Sequence, residues 1–303
     1  MLFASPSLVY VDRTGTQWAN TPWVCSVAWN NTRSKTMKKV AITVGVVVGL
    51  IIVFGVVTMM AFSNDEIIFE PNTNENSVVQ PVRFGHSNVY FIRTEDGNIL
   101  VDAGMPGDTD NLDEVFAIAG VEPHSIRLIV VTHGHMDHIG LLAYAKETTG
   151  AQVLCHQSLS GKLAIGEIEV PVAQNSFGHF LNLMTGIQEM TGGADIEGVN
   201  SDILVDDVFD LSEYGISGKI IHTPGHSQGS ISIILDNGET LVGDMVRDVG
   251  DGEIGPGMFY EDKETLIASL EKVALFESRT IYLSHGNTID NTGLNNAIAR
   301  LVE

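Results

Sequence analysis

Residues 126–131, which are apolar except for Arg127, lead into a cluster of side chains that commonly bind metals. An apolar run of this length predicts a fully buried strand. The hexapeptide HGHMDH at residues 133–138 follows it and supplies three imidazoles and one carboxylate. If these groups were buried without a metal, many of their polar atoms would need other partners. The pattern therefore favours a metal site over a structural histidine cluster.

The available ligand types narrow the kind of metal site. Imidazole and carboxylate ligands suit zinc, iron or manganese. The chain has two cysteines, Cys25 and Cys155, and neither lies near the hexapeptide. A closed structural zinc site built from thiolates is therefore disfavoured, as is a disulfide framework. We expect an open site that can carry out catalysis.

Strand and helix patterns alternate on both sides of the hexapeptide. Apolar runs at residues 89–93 and 98–102 flank the turn sequence Glu95-Asp96-Gly97, which predicts an antiparallel hairpin. Helical spacing predicts helices over residues 108–119, 139–148 and 263–277, and short apolar runs predict strands at 152–155, 219–222, 230–235, 240–242 and 280–283. The pattern indicates two sheet-and-helix halves that share one core.

Residues 161–205 interrupt this alternation and are interpreted as an inserted segment. Five apolar residues in it have helical spacing: Phe177, Phe180, Leu181, Met184 and Ile187. Such a stripe is typical of a helix packed on a core, but a cap over a substrate site gives the same pattern. Both interpretations stay open at this point.

The sequence resembles the metallo-β-lactamase superfamily, whose signature is similar to HxHxDH and whose further motifs follow in order over residues 82–303. Residues 223–227, TPGHS, resemble the motif that carries the next histidine ligand. Gly243-Asp244 resembles the motif of a bridging aspartate, and Ser284-His285-Gly286 that of the last histidine. Residues 101–104, VDAG, match the first family motif. The resemblance implies an α/β fold of the αββα sandwich type.

The resemblance also implies a binuclear metal site. A first metal would be bound by His133, His135 and His226, a second by Asp137, His138 and His285, and Asp244 would bridge the two. The metals are expected to be two divalent ions, zinc first, with iron or manganese as alternatives. A hydroxide bridging them would be the nucleophile, and Asp137 would be a catalytic residue as well as a ligand. Asp102 and His86 are expected to contact and orient the ligand side chains without binding the metals themselves.

Two residues narrow the expected reaction within the superfamily. The oxygen-reducing di-iron members carry a glutamate where His135 stands, and the zinc β-lactamases generally lack an aspartate at the place of Asp244. We therefore expect an enzyme similar to glyoxalase II that cleaves an ester, thioester or lactone. Only 18 residues follow His285, so the helical glutathione-binding region of glyoxalase II is not expected. The alternatives are β-lactam or phosphodiester hydrolysis, or a non-catalytic metal-binding sensor.

The charge of the chain bears on its partners. The formal net charge is −22, with 16 basic and 38 acidic residues. A nucleic-acid partner is not expected, because phosphate backbones are bound by basic surfaces. We expect a small-molecule substrate, whose identity the sequence leaves open together with the oligomeric state.

The amino-terminal region predicts a membrane anchor. Residues 40–62 carry no charge over 23 positions, which is enough to span a bilayer as a helix. Basic residues precede this stretch and acidic residues follow it, which puts the amino end in the cytoplasm and the catalytic domain outside. Secretion after cleavage of a signal is the alternative.

These features give a predicted domain organisation. Residues 1–36 are interpreted as an amino-terminal extension that either is translated or lies upstream of a true start at Met37. Residues 37–62 are interpreted as the anchor. A polar linker is expected at residues 63–80 and the catalytic domain at residues 81–303.

Overall fold

The structure is a computed structural model that describes residues 10–11, 17–18, 37–46, 49, 55, 67–69, 76–107, 109–190, 196–250 and 252–302. The chain divides into two compact units, residues 1–54 and residues 55–303. In the first unit, strands β1 (Tyr10–Val11) and β2 (Gln17–Trp18) pair antiparallel, and residues 37–46 form helix α1.

The predicted single-pass membrane localisation is wrong. In the part of the chain that the structure describes, no helix is both long and apolar enough to cross a bilayer. Apart from Gly49 and Gly55, residues 47–62 of the predicted span lie outside the described residues, as does nearly all of the predicted extension at residues 1–36.

The first sheet of the second unit carries the hexapeptide. Among the described residues it has seven strands in chain order: β3 (Ile67–Ile68), β4 (Val79–Phe84), β5 (Ser87–Thr94), β6 (Gly97–Val101), β7 (Ile126–Val130), β8 (Gln152–His156) and β9 (Ile203–Val205). Strands β3 to β6 pair antiparallel, and β6 to β9 pair parallel. The predicted hairpin is confirmed as β5 and β6, and β3 lies within the residues predicted as a linker.

The second sheet supplies the remaining candidate ligands. In the described residues it has five strands in the order β10 (Val208–Asp210), β11 (Gly218–His222), β12 (Ile231–Leu235), β13 (Glu239–Leu241) and β16 (Thr280–Tyr282). A small ribbon of β14 (Arg247–Gly250) and β15 (Glu253–Gly255) lies between β13 and β16 in the chain. The strands predicted in this half of the sequence are therefore confirmed.

Three apolar layers hold the two sheets and their helices together. Successive residues of β11 alternate between layers, with Ile220 between the two sheets and Ile221 on the outer face, as the period of a strand requires. The outer face of the first sheet packs against α2 (Thr109–Ala119) and α4 (Leu142–Thr149). The outer face of the second packs against α7 (Lys263–Ala274) and α8 (Asn291–Val302). The order of layers is α, β, β, α, as predicted.

The predicted helix at residues 139–148 is divided in the structure. Helix α3 (Met136–Ile139) is one turn that begins inside the hexapeptide, and α4 follows after a break at Leu141. A Cβ atom at Gly140 would lie 2.0 Å from the backbone nitrogen of Pro106, so the chain passes very close to another segment here. This tertiary contact has no signature in the local sequence.

The inserted segment contains α5 (Ser160–Ala164), α6 (Ser176–Met190) and part of the first sheet. Among the residues of α6 whose burial is described, none belongs to the three core layers. Within the predicted stripe, Phe177 is 42% exposed, and Phe180, Leu181 and Met184 are half-buried. The described part of the stripe therefore lies outside the three core layers, and the cap interpretation stays a prediction.

Candidate metal centre

The candidate ligands come from loops at the carboxyl ends of strands in both sheets. His133 follows β7, which pairs with β6 and β8 as parallel neighbours. His226 lies between β11 and β12, Asp244 follows β13, and His285 follows β16. Strand ends of this kind hold polar side chains on a rigid base.

A first group consists of His133, His135, His226 and Asp244. The Nε2 atom of His133 lies 3.0 Å from Nδ1 of His135, and the same Nδ1 lies 3.1 Å from Nε2 of His226. One potential ligand atom from each of the four residues lies within 4.8 Å of the others. Nitrogens bound to one tetrahedral zinc ion would be about 3.3 Å apart. The group therefore has the spacing of a metal site.

A second group consists of Asp137, His138 and His285. Oδ2 of Asp137 lies 3.2 Å from Nε2 of His285 and 3.5 Å from Nε2 of His138. Asp137 is 23% exposed, whereas the side chain of His138 is fully buried. The carboxylate of Asp137 thus forms the part of this group that meets solvent.

Asp244, a member of the first group, also contacts the second group. Its Oδ2 atom is 2.9 Å from Nε2 of His285 and 3.8 Å from Nε2 of His226. Its Oδ1 atom is 3.4 Å from Nε2 of His138. One carboxylate therefore contacts imidazoles of both groups.

Two buried atoms of the centre have the donor chemistry that a metal needs. Within the described residues, Nε2 of His138 and Oδ1 of Asp244 are buried and make no hydrogen bond. Buried polar atoms of this kind need a partner, and a cation would satisfy both. The nitrogen and oxygen donors present fit a divalent metal such as zinc.

The imidazoles of the first group are neutral. Burial is the largest cause and lowers the pKa of His133 well below its ordinary value, that of His135 to about 3, and that of His226 as well. A neutral imidazole keeps the lone pair that a metal requires. These three side chains can therefore accept a metal without first losing a proton.

The second group has the opposite electrostatic balance. Burial disfavours the charged form of His138 and His285, but neighbouring carboxylates outweigh it. They hold the pKa of His138 well above its ordinary value and raise that of His285 to about 9. Likewise, burial raises the pKa of Asp137 and Asp244, but the imidazoles outweigh it and hold both well below the ordinary value. This half of the centre strongly favours bound positive charge.

Asp102, predicted as a support, contacts a candidate ligand directly. Its Oδ2 atom lies 2.8 Å from Nδ1 of His138 and accepts a hydrogen bond from Oγ1 of Thr132. Its Oδ1 atom accepts from the backbone N–H of Thr132. Asp102 thereby leaves Nε2 of His138 directed at the centre.

His86, also predicted as a support, contributes through its backbone. Nδ1 of His285 donates to the carbonyl oxygen of His86 at 2.7 Å. Sequence reasoning missed two similar contacts. Nδ1 of His226 donates to the carbonyl of Phe259 at 3.0 Å, and Oγ of Ser87 donates to the carbonyl of Asp137 at 2.8 Å. Backbone carbonyls carry no residue-type signal, so only the fold could reveal them.

The order of these motifs along the chain agrees with a known family. The sequence matches the metallo-beta-lactamase superfamily over residues 82–285. The chain belongs to this superfamily. The match begins in β4 and ends at His285, so it covers all seven candidate ligands.

Curated relatives within the metallo-β-lactamase superfamily share part of this chain. The probable metallo-hydrolase YflN of Bacillus subtilis is 30% identical over 69% of this chain and 83% of its own length. The beta-lactamase-like protein 2 homolog of Caenorhabditis elegans is 28% identical over 69% of this chain, and the match spans 59% of that relative. A hydroxyacylglutathione hydrolase of Pelagibacter ubique is 27% identical over 55% of this chain and 54% of its own length.

Solved structures agree on the fold. A metallo-beta-lactamase from Pontibacter korlensis superposes with a TM-score of 0.54 at 14% identity, covering 78% of this chain and all of the other. At this identity the likeness concerns architecture alone. The family match, the names of the curated relatives and the grouped side chains identify the chain as a metal-dependent hydrolase of this superfamily.

Proposed function

We propose that the protein is a binuclear metal-dependent hydrolase that cleaves an ester, thioester or lactone. The observation that carries the proposal is the position of Asp244. Its Oδ2 atom contacts His226 of the first group and His285 of the second, and its Oδ1 atom contacts His138 of the second group. A carboxylate between two clusters of neutral or protonatable imidazoles is suited to bridge two cations.

In this proposal the first metal is held by His133, His135 and His226, the second by Asp137, His138 and His285, and both by Asp244. The chemistry that a pair of divalent ions supplies in such a site is a water of lowered pKa as nucleophile and a polarised carbonyl as electrophile. Zinc is the expected metal because imidazole nitrogen and carboxylate oxygen both suit it.

Asp137 is proposed to accept and pass on the proton that the nucleophilic water loses. Its carboxylate is ionised, since the imidazoles of His138 and His285 hold its pKa well below the ordinary value against the opposing effect of burial. It is also 23% exposed, against 11% for Asp244, so it can exchange a proton with solvent. Geometry and exposure thus favour Asp137 over Asp244 for this role.

The substrate class is supported by four features. His135 is a nitrogen ligand where the oxygen-reducing members of the superfamily carry glutamate, and Asp244 is the carboxylate that zinc β-lactamases generally lack. One relative is named as a hydrolase of hydroxyacylglutathione, which is a thioester. The net charge of −22 disfavours a phosphodiester of nucleic acid as substrate.

A substrate panel tests the proposal. The full chain is loaded with zinc and assayed against matched aryl esters, acyl thioesters, lactones, a β-lactam and a phosphodiester. We expect turnover of at least one ester, thioester or lactone, and little turnover of the β-lactam or the phosphodiester. Turnover of the β-lactam or phosphodiester alone would reassign the substrate class, and failure with all substrates despite bound metal would favour the sensor alternative.

A further inference from the structure

One buried carboxylate of the inserted segment contacts the backbone of the hexapeptide. Oε2 of Glu169 accepts a hydrogen bond from the N–H of Gly134 at 3.2 Å, and the N–H of Glu169 donates to the carbonyl of Gly134 at 2.7 Å. Glu169 is only 5% exposed. Gly134 lies between His133 and His135, so Glu169 holds the peptide that joins two candidate ligands.

The contact is close packed as well as polar. A Cβ atom at Gly134 would lie 2.8 Å from Cγ of Glu169 and 2.4 Å from Cδ1 of Leu159. Lys162 of α5 lies 3.6 Å from Oε1 of Glu169 and offsets its charge. A carboxylate that is buried needs such partners, because desolvation of the charge is costly. Its position is therefore strongly determined by its surroundings.

The inserted segment also contacts the loop that orients the third histidine. The N–H of Tyr260 donates to the carbonyl of Val172, and the N–H of Gln174 donates to the carbonyl of Met258. Phe259 lies between these two contacts, and its carbonyl accepts from Nδ1 of His226 at 3.0 Å. Residues 169–174 thus contact the loop that carries His133 and His135, and also the segment whose Phe259 carbonyl accepts from His226.

We infer that Glu169 is a positioning residue for the metal held by His133, His135 and His226. Its carboxylate fixes the Gly134 peptide, and residues 172–174 fix the loop behind His226. Ligand atoms must be held within about 0.5 Å of their working positions, which requires support of this kind. The inserted segment accordingly belongs to the structure of the metal site and does more than cover it.

The inference rests on the metal centre proposed above but not on its reaction. It therefore predicts an effect on zinc binding that is measured without substrate. Loss of a group that supports ligands typically weakens metal affinity by about 10–100-fold.

Three variants of the full chain separate the hydrogen bond from packing. Glu169→Met keeps the approximate size of the side chain but cannot accept from Gly134. Glu169→Gln keeps an oxygen acceptor without the charge. Glu167→Ala is the matched control, because Glu167 is exposed and lies two residues away in the same segment.

Zinc affinity is measured by competition with a chromophoric chelator. The measurement is repeated in a His285→Ala background, which removes a ligand of the second group, so that the retained zinc is the one held by the first group. Glu169→Met is expected to weaken the retained zinc by about tenfold or more, Glu169→Gln by clearly less, and Glu167→Ala not at all. Circular dichroism of the metal-free chain checks folding. If Glu169→Met does not fold, Glu169→Ala is measured in its place.

Wild-type zinc affinity in a folded Glu169→Met or Glu169→Ala chain would overturn the inference. An equal loss in the Met and Gln variants would also overturn it, because loss of the charge alone would then explain the effect without the hydrogen bond from Gly134. A wild-type chain that binds no zinc would instead contradict the metal centre itself.

Discussion

Nδ1 of His138 lies 2.8 Å from Oδ2 of Asp102, and both side chains are buried. The contact fixes the imidazole so that its other nitrogen faces Asp244 and Asp137. Asp102 has a positive φ of 62°, a conformation that L-residues other than glycine, asparagine and aspartate rarely adopt. Aspartate is therefore one of the few residue types that suit both this backbone conformation and the contact that orients a candidate ligand.

Substitution of Asp102 is expected to weaken metal binding. Asp102→Ala removes both acceptors, and we expect zinc affinity to fall by about 10–100-fold. Asp102→Asn keeps one acceptor and tolerates the positive φ, so its loss of affinity is expected to be smaller. Competition titration of both variants measures this difference. An Asp102→Ala chain that is folded and binds zinc like wild type would show that the contact with His138 has no role in binding.

The backbone of the TPGHS motif is expected to tolerate only glycine at position 225. Gly225 has φ of 128°, and a Cβ atom there would lie 2.3 Å from the backbone nitrogen of Leu266. Gly225→Ala combines strain with a clash against backbone, and we expect it to lower the free energy of unfolding by more than about 2 kcal/mol.

Gly150→Ala is the matched control for this prediction. Gly150 ends α4 with φ of 69°, but nothing lies within 4 Å of an added Cβ. We expect this variant to lower the free energy of unfolding by only about 1 kcal/mol, the cost of the left-handed conformation. Denaturant unfolding of both variants gives the comparison, and equal losses would contradict the role assigned to the contact with Leu266.

A salt bridge at the end of the inserted segment is expected to make stability depend on pH. Oδ2 of Asp202 accepts from Nζ of Lys146 at 2.7 Å and from the N–H of Val153 at 2.8 Å. Burial raises the pKa of Asp202, but these hydrogen bonds outweigh it and lower the pKa below its ordinary value. The stabilisation is therefore present above the ordinary pKa of about 4 and is lost as the pH falls through the lower pKa of the folded chain.

Asp202→Asn measures this contribution. The side chain of Asp202 is 37% exposed, so solvent screening limits the effect to about 0.5–1 kcal/mol of destabilisation at pH 7. The difference in unfolding free energy between wild type and variant should narrow at about pH 3. Denaturant unfolding at both pH values tests this, and a gap that is the same at both would contradict it.

The sequence predicted the architecture well where hydrophobic period and turn residues agree. The β5–β6 hairpin follows from two apolar runs around Glu95-Asp96-Gly97, and the two sheet-and-helix halves follow from the alternation of strand and helix patterns. The αββα order of layers is implied by the family resemblance. The division between α3 and α4 could not be predicted, because it falls at Leu141 (φ −110°, ψ 20°), a residue type that gives no signal of a helix break. Gly140 beside it keeps helical dihedrals and lies close to Pro106.

Within the candidate site, the fold brings the predicted ligand side chains together. Most of the groups that orient these side chains could not be predicted from the sequence. The carbonyls of His86 and Phe259 orient two histidines, and neither contact depends on the identity of its side chain. Glu169 gave no signal, because an isolated glutamate in an inserted segment resembles a solvated surface residue. The apolar run at residues 40–62 misleads in the other direction, because its composition predicts a membrane span and the described residues contain no helix that could form one.

The most direct test measures zinc content and acyl hydrolysis in the same samples of the full chain. Wild type is expected to hold about two zinc ions per chain and to hydrolyse at least one ester, thioester or lactone. His135→Ala and His285→Ala are each expected to lose about one zinc ion and to lower the hydrolysis rate by about 100-fold or more. Full hydrolytic activity in the zinc-free chain or in His135→Ala would contradict the proposed two-metal mechanism.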